Sequence, residues 1–250
     1  KILCDVGLHG AYLHDPRVWQ FFSPKDRIGV QLIRRPGATA EWEAGGPLRV
    51  FLHWAFGVIG RRLCHAATLG LEGKGIMLVG AGGSGKSGTT LAGITAGLQT
   101  VGDDYCLVEQ AERVTAYPLY RILKQDAAGV TRARGASACD EFGPLNWQGK
   151  YEIHESQLPH SPFVPSLDIR AIIVPRVAHL SSSIIRPISA GLAMRAFAPS
   201  SAFQLPDGER EGITFTGSLC RRLPCMEIQL SEDCGEIADT LHNFLENNLA

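Results

Sequence analysis

The chain has 250 residues, of which 45% are hydrophobic and 20% are charged, and its formal net charge is −1. This composition is typical of a globular protein with a sizeable core. The near-zero charge gives no long-range field toward nucleic acid or an anionic membrane, and no apolar run approaches the roughly 18–20 residues of a membrane-spanning helix. We therefore expect neither nucleic acid nor a membrane among the partners of this chain.

The first part of the chain combines short apolar stretches with proline and glycine, which predicts strands and loops before residue 48. Residues 48–63 carry apolar side chains around most of a helical surface, so they predict a well-buried helix. Residues 65–71 and 76–79 then predict two strands joined by a glycine-containing turn, and the second is an apolar run typical of a buried strand.

A helix is predicted over residues 87–96, ended by Gly97, and a strand over 98–101 follows it. Residues 105–109 and 114–117 predict a hairpin. The most informative part of the sequence lies between the strand predicted over residues 76–79 and the helix predicted over residues 87–96.

Residues 124–166 are the least regular part of the chain, with several glycines and prolines. A long irregular stretch beside a nucleotide site is often a lid or a substrate-binding segment, and an ordinary surface loop is the alternative. Its basic residues are candidates for contacting phosphates or an acidic peptide, the alternative being solvated surface charges. They are Lys124, Arg132, Arg134 and Lys150.

The C-terminal part predicts a buried strand over residues 169–174, a helix within 190–203 and a strand over 226–230. Ser231 is predicted to cap the final helix. Strands that alternate with helices, together with hairpins, predict an α/β fold with a central mixed, twisted sheet.

The elements suggest two parts, an N-terminal strand and helix segment over residues 1–63 and a core over residues 64–250 on which it packs. The seven cysteines are scattered and include no Cys-x-x-Cys pair, so we expect reduced thiols in a cytoplasmic protein. They stand at positions 4, 64, 106, 139, 220, 225 and 234.

The strongest motif follows the buried strand directly, where residues 80–87 match the pattern Gly-x-x-x-x-Gly-Lys-Ser/Thr in full. In such a loop, glycines let main-chain N–H groups approach phosphate oxygens, and the start of the next helix adds its positive dipole end. The pattern predicts a P-loop nucleotide-binding fold in which Lys86 contacts the β- and γ-phosphates and Ser87 binds Mg²⁺. The predicted nucleotide-binding residues are Gly80, Ala81, Gly82, Gly83, Ser84, Gly85, Lys86, Ser87 and Gly88.

Asp103 and Asp104 follow the strand predicted after the loop's helix, at the sheet edge where the phosphates are expected. One carboxylate can hold Mg²⁺ and the other can accept a proton from an attacking hydroxyl, and the sequence leaves open which of them is the base. We expect Asp103 to join Ser87 as a metal ligand. His65 begins a predicted strand next to the loop's strand and can lie near the aspartates, although a lone histidine is more often structural. The predicted catalytic residues are His65, Lys86, Asp103 and Asp104.

From His65 to Asp104 the chain resembles the catalytic domain of the HPr kinase/phosphorylase-like serine kinases. In that family a segment begins with a histidine, contains Gly-x-Gly, continues through the phosphate loop and ends at Ala-Asp-Asp. The same order occurs here at similar intervals. The matching residues are His65, Gly73, Gly75, Gly80, Gly85, Lys86, Ser87, Gly97, Asp103 and Asp104. Ala66 and Gly102 stand where the family has Gly and Ala. The layout is similar to that of the short forms found with ribosomal-peptide gene clusters, including those that phosphorylate lasso-peptide precursors.

The resemblance implies ATP and Mg²⁺ as cofactors, a peptide or protein substrate with an acceptor serine, and Asp104 as the acceptor of the serine proton with His65 nearby. It also implies a homo-oligomer as one option. Two features depart from the family: Gly88 stands where the family has Glu, and a later Glu-Ile-Arg-Gly-Leu-Gly motif is not intact. These departures argue against a reverse phosphorylase activity.

Three functions stay open at this point. The leading hypothesis is an ATP- and Mg²⁺-dependent kinase acting on a serine of a peptide or protein, since phosphoryl transfer needs mainly positioning and charge neutralisation. A kinase for a small hydroxylated metabolite shares all the nucleotide-binding residues. A nucleotide-binding regulatory protein without turnover is the third, because Gly88 and the incomplete later motif depart from the kinase pattern.

Overall fold

The N-terminal region forms a small sheet of its own. The computed structural model describes residues 6–158, 160–206 and 209–248, so Cys4 lies outside the described residues, and the six described cysteines are free thiols. The first three strands are β1 (His9–Leu13), β2 (Val18–Ser23) and β3 (Ile28–Leu32), and they pair antiparallel in that order. Phe22 of this sheet stacks on Trp54 of helix α1 (Arg49–Val58), with ring centroids 6.3 Å apart. The strands predicted before residue 48 are confirmed.

Helix α1 is shorter than the sequence predicts. It ends at Val58, and Gly60, with a φ of 78°, turns the chain into strand β4 (Arg61–Cys64). The predicted helix over residues 48–63 was therefore wrong beyond residue 58. The apolar pattern misled because Leu63, which is 3% exposed, is buried in a strand rather than on a helix.

The main sheet has eight strands, both parallel and antiparallel. They are β4, β5 (Ala67–Leu71), β6 (Lys74–Leu78), β7 (Cys106–Gln110), β8 (Val114–Pro118), β11 (Leu167–Leu180), β12 (Ile184–Pro187) and β13 (Cys225–Ser231), while β9 (Ile122–Gln125) and β10 (Tyr151–His154) form a separate antiparallel pair. Strand β11 runs parallel to both β6 and β13, and the other pairings are antiparallel. The predicted mixed sheet is confirmed, and the carboxyl ends of β6, β11 and β13 point to one edge.

Helices cover both faces of this sheet. They are α2 (Lys86–Thr95), α3 (Ala127–Arg134), α4 (Ala190–Ala202), α5 (Glu209–Arg222) and α6 (Cys234–Asn248), with short 3-10 helices at Glu41–Glu43, Ala136–Glu141 and Glu155–Gln157. Leu78 of β6 belongs to a core cluster with Leu91 of α2 and Leu241 of α6, whereas Met77 belongs to a second cluster with Phe197 of α4. The strand before the loop reads as a continuous apolar run because both of its faces are buried.

The segment between α2 and β7 is held by side chains rather than by a strand. Residues 98–101 make only isolated bridges, so the strand predicted there was wrong. Instead, the Thr100 hydroxyl donates to the main-chain oxygen of Thr68 at 2.7 Å and accepts from the Gly102 N–H at 3.0 Å. Both threonine side chains are fully buried, which makes these hydrogen bonds obligatory. They hold the two residues that follow Gly102 in place.

Residues 124–166 contain more regular structure than the sequence predicts. They include part of β9, the whole of α3 and the whole of β10, and the antiparallel pairing of β9 with β10 ties the two ends of this stretch together. A lid or substrate-binding role stays a prediction, as does the division of the chain at residue 63. Across the described part of the chain, no helix combines the length and the apolar character needed to cross a membrane.

Helix α6 is capped by Asp233, not by Ser231. Oδ1 of Asp233 accepts from the N–H groups of Gly235 at 2.7 Å and of Glu236 at 3.2 Å. The Ser231 hydroxyl instead donates to the Glu236 carboxylate at 2.6 Å, so it cannot serve the first turn of the helix. The predicted cap was wrong because the helix begins two residues later than the sequence indicated. Strand β12 and helix α5 had no counterpart in the predictions.

Replacing Thr100 tests the threonine network. We expect Thr100→Val to lower the free energy of unfolding by about 2 kcal/mol, because the carbonyl of Thr68 and the N–H of Gly102 lose their buried partner while the side-chain shape is kept. Urea unfolding followed by circular dichroism measures this difference.

The matched control is Thr115→Val. Thr115 lies in β8 and is only partly buried, so we expect a change within roughly 0.5 kcal/mol. Equal stability of Thr100→Val and the unaltered chain would show that the network does not hold the segment.

Candidate functional site

The predicted phosphate loop connects the end of β6 to the start of α2. Gly80, Gly83 and Gly85 have φ values of 152°, 80° and 106°, a region that residues with a side chain rarely adopt. At Gly85 a Cβ atom would also lie 2.6 Å from Cδ1 of Leu230. Among the described residues no side chain caps α2, so the N–H groups of its first turn stay available to an anion.

Lys86 lies across this loop. Its Nζ donates to the main-chain oxygens of Gly80 at 2.6 Å and Ala81 at 3.2 Å, and the residue is 7% exposed. Burial lowers the pKa of Lys86 from its ordinary value, and the negative charges of Asp103 and Asp104 oppose that shift. The ammonium is therefore held in a position where phosphate oxygens can replace the two carbonyl acceptors.

Asp103 is the most deeply buried acid of the site, with 2% of its surface exposed. Its Oδ2 accepts the main-chain N–H of Lys124 at 2.8 Å, whereas its buried Oδ1 has no hydrogen-bond partner among the described residues. Burial raises the pKa of Asp103, and the Lys124 N–H and the Ser87 hydroxyl act in the opposite direction. The unpaired oxygen is a costly feature unless it serves a ligand.

Asp104 lies between two cationic or protonatable groups. Its Oδ1 is 3.0 Å from Nε2 of His65, and its Oδ2 is 2.9 Å from Nζ of Lys124. Burial alone would raise the pKa of Asp104, but the hydrogen bonds and charges of His65 and Lys124 outweigh burial and hold the pKa well below its usual range. Asp104 is thus ionised at any physiological pH.

Lys124 orients both aspartates at once. Its main-chain N–H binds Asp103, its ammonium binds Asp104, and the residue itself is 8% exposed. It is therefore not a solvated surface charge, and a contact with phosphates or an acidic peptide stays a prediction. Position 124 belongs to β9, whose pairing with β10 holds the backbone that supplies the N–H.

His65 lies just before β5, which begins at Ala67 rather than at residue 65. Its ring stacks on Tyr105 with centroids 5.1 Å apart. The Tyr105 hydroxyl donates to Oε1 of Gln204 at 2.5 Å and accepts from Arg49 of α1 at 2.9 Å. This contact chain fixes the imidazole beside Asp104 and connects it to the N-terminal helix.

Three cavities lie around the loop. The central cavity, of about 240 Å³, is lined by His65, Gly82, Gly83, Gly85, Lys86, Ser87, Gly88, Asp103, Asp104, Lys124, Gln125, Asp126, Arg132, Gln148, Lys150 and Val177. The Leu230 cavity, of about 490 Å³, is lined by Gly85, Gly88, Thr89, Gly129, Arg132, Val177, His179, Leu230, Ser231, Glu232, Cys234 and Ile237. The Arg195 cavity, of about 400 Å³, is lined by His65, Gly80, Ala81, Gly82, Ser84, Val174, Arg195, Ala196, Pro199, Ser200 and Gln204.

The structure brings most of the predicted site residues into the central cavity, including all four predicted catalytic residues. Gly80, Ala81 and Ser84 line the Arg195 cavity instead. Of the predicted basic contacts, Lys124, Arg132 and Lys150 line the central cavity, but Arg134 does not and pairs with Glu141 at 2.8 Å. The sequence missed the cavity residues Gln125, Asp126 and Gln148, which belong to no motif.

The residues around Ser87 fit a magnesium ion bound together with phosphates. No cluster of three or more His, Cys, Asp or Glu side chains suited to a metal occurs in the described part of the chain. Mg²⁺, however, is usually held by one or two protein oxygens, substrate phosphates and water. Asp103, whose Oδ1 has no hydrogen-bond partner among the described residues, and Ser87 both line the central cavity and carry such oxygens.

Comparisons with known proteins add little to this geometry. No family model and no curated protein matches the chain. A solved structure described as the Hpr(Ser) kinase/phosphatase from Coxiella burnetii is similar at a TM-score of 0.39 and 12% sequence identity, over 75% of this chain and 96% of that chain. Because a likeness this distant carries no functional argument, function is inferred from the site.

The two aspartates give opposite stability predictions. The raised pKa of Asp103 means that its stability contribution is greatest at low pH and is lost as pH rises through that pKa, so Asp103→Asn should raise Tm at neutral pH. The lowered pKa of Asp104 means that its contribution is present above the unfolded-state pKa and is lost as pH falls, so Asp104→Asn should lower Tm at neutral pH.

Thermal unfolding without nucleotide or Mg²⁺, from pH 7 down to about pH 4, measures both effects. The Asp103→Asn difference should shrink over this range, because the native carboxyl becomes protonated as pH falls through its raised pKa. The Asp104→Asn difference should persist over the same range, because it is lost only below the unfolded-state pKa of about 4, as pH falls toward the lowered native pKa. Two shifts of the same sign at pH 7 would contradict the assigned environments.

Proposed function

We propose that the chain is an ATP- and Mg²⁺-dependent kinase that phosphorylates a serine hydroxyl of a peptide or protein. The observation that carries this proposal is the convergence of Lys86, Ser87, Asp103 and Asp104 in one cavity at the start of α2. Phosphoryl transfer requires anion binding, charge neutralisation and an oriented acceptor hydroxyl, and these four side chains supply all three.

The triphosphate lies along the loop, with its β- and γ-phosphates on Lys86 and on the first N–H groups of α2. The nucleoside occupies the Leu230 cavity, which joins the central cavity through Gly85 and Gly88 and includes apolar side chains such as Leu230 and Ile237. This placement follows the usual rule that ligands of α/β sheets bind beyond the carboxyl ends of the parallel strands.

Asp103 and Asp104 then divide the chemistry. Asp103 and Ser87 would hold Mg²⁺, which would neutralise charge on the phosphates. Asp104 accepts the hydrogen bond of the acceptor hydroxyl, and His65 and Lys124 keep its carboxylate ionised and fixed. A base of low pKa suffices because the proton leaves late in a loose phosphoryl-transfer transition state.

The transfer step forms one bond to the γ-phosphorus and breaks another. The acceptor oxygen forms a bond to the γ-phosphorus, while the bond from that phosphorus to the β,γ-bridging oxygen breaks. The electron pair of the broken bond leaves with ADP, and the hydroxyl proton passes to Asp104.

Asp104→Asn tests the assignment of the base. We expect phosphoserine formation to fall by about 100-fold or more, because the amide cannot accept the proton, while ATP affinity changes by only a few-fold. The assay uses γ-labelled ATP, Mg²⁺ and a degenerate mixture of serine-containing peptides, and a fluorescent ATP analogue measures affinity.

Asp168→Asn is the control, since Asp168 is paired with Arg170 at 3.0 Å and lines none of the three cavities. It should keep its turnover. Labelling of peptides by Asp104→Asn at the rate of the unaltered chain would exclude Asp104 as the base. Absence of labelling by every variant, with ATP bound, would favour the regulatory alternative.

Ser87→Ala tests the metal site. We expect the Mg²⁺ concentration that half-saturates ATP binding to rise about tenfold or more, because one ligand oxygen is lost, with little change in binding without Mg²⁺. Titrations of ATP at several Mg²⁺ concentrations measure this.

Ser218→Ala is the matched control, because Ser218 lies on α5, away from the loop, and its hydroxyl donates to Gln110 of β7. An unchanged Mg²⁺ requirement in Ser87→Ala would remove Ser87 from the metal site.

A further inference from the structure

The three cavities have a fixed order around the loop. The central and Leu230 cavities share Gly85, Gly88, Arg132 and Val177. The central and Arg195 cavities share His65 and Gly82. The Leu230 and Arg195 cavities share no lining residue, so the central cavity lies between them. With the nucleoside on one side and the phosphates in the middle, the remaining side is where an acceptor can approach.

The boundary between the central cavity and the Arg195 cavity lies next to the proposed base. His65 lines both cavities and its Nε2 lies 3.0 Å from Asp104. A hydroxyl entering past His65 from the Arg195 cavity therefore reaches the proposed base. Lys86 and Ser87, the proposed phosphate and metal contacts, line the central cavity and not the Arg195 cavity.

The lining of the Arg195 cavity favours an anionic group. None of the described residues that line it is an aspartate or a glutamate. Arg195 is exposed on α4 and, among the residues that the structure describes, makes no ion pair or side-chain hydrogen bond. Gln204 binds Tyr105 through its amide oxygen, so its amide N–H₂ group can still donate. A guanidinium and a donor amide in one cavity are suited to a carboxylate.

We propose that the Arg195 cavity binds the acceptor, and that the guanidinium of Arg195 pairs with a carboxylate that the acceptor carries near its reacting hydroxyl. This inference rests on the proposed kinase function. It names the substrate class as a hydroxyl compound with a neighbouring carboxylate, held so that its oxygen faces the γ-phosphate past His65.

The cavity suits a peptide in which an acidic residue lies close to the serine. Arg195, Pro199 and Gln204 are all exposed, so this side of the cavity is open to the surface and a chain can enter and leave. Its volume of about 400 Å³ also falls in the range of small-ligand sites, so a free hydroxycarboxylic acid carries the same chemistry. The experiment separates these two sources.

A set of synthetic peptides with one central serine tests the inference, with Asp, Ala or Lys placed at each of the three positions on either side. We expect kcat/KM to be about tenfold or more higher for the best Asp peptide than for its Ala counterpart, through KM. Arg195→Ala should remove this preference. Arg195→Glu should favour the Lys peptides. Glycerate, assayed in parallel with the same labelled ATP, represents the free hydroxy acids.

Arg210→Ala is the matched control, because Arg210 is another exposed arginine that lines a separate cavity away from the loop. It should keep the preference for Asp. Peptide labelling that depends on Asp104 but shows the same preference in Arg195→Ala would overturn this inference and leave the kinase function standing. If only glycerate is labelled, and Arg195→Ala abolishes that labelling, the pairing with a carboxylate is supported and a peptide acceptor is excluded. If no acceptor is labelled by any variant that binds ATP, the kinase function and this inference both fail.

Discussion

The site depends on Lys124, whose main chain and side chain each hold one of two adjacent aspartates. Placing two adjacent carboxylates in one site, one buried and one half-buried, is costly unless each charge is compensated. The N–H of Lys124 fixes Asp103 and its ammonium fixes Asp104, while Lys86 brings a second positive charge nearby. Oδ1 of Asp103 nevertheless has no hydrogen-bond partner in the part of the chain that the structure describes. A buried acid that is held in place and yet incompletely satisfied is characteristic of a ligand site, where stability is sacrificed for binding.

The surrounding fold explains how these groups come together. The parallel strands β6, β11 and β13 direct their carboxyl ends to one edge, and the loop after β6 therefore opens there. The hydrogen bonds of the Thr100 hydroxyl to Thr68 and Gly102 hold the aspartates at the same edge, although the segment before them is not a strand. From the other side, Tyr105 supports His65 and reaches Arg49 of α1, so the N-terminal helix is in contact with the site. A change in α1 can thus affect the orientation of the imidazole.

The sequence predicted the parts whose information is local. The loop, the buried strand before it and the helix after it are contiguous, and their pattern determined their structure. The helix over residues 48–63 was predicted too long because apolar periodicity does not distinguish a helix end from a buried strand at Leu63. Lys124, Tyr105 and Arg195 could not be placed in advance, because their positions depend on pairings between elements distant in sequence. No local pattern distinguishes a lysine that binds two aspartates from one in solvent.

The most direct test is a crystal structure of the chain with Mg²⁺ and a non-hydrolysable ATP analogue. The account predicts the β- and γ-phosphates on the N–H groups at the start of α2, with Lys86 turned from the loop carbonyls to the phosphates. It also predicts the metal between Ser87 and the unpaired oxygen of Asp103, with Asp104 still bound to His65 and Lys124. A nucleotide bound away from the loop, or Asp103 directed away from the metal, would contradict it.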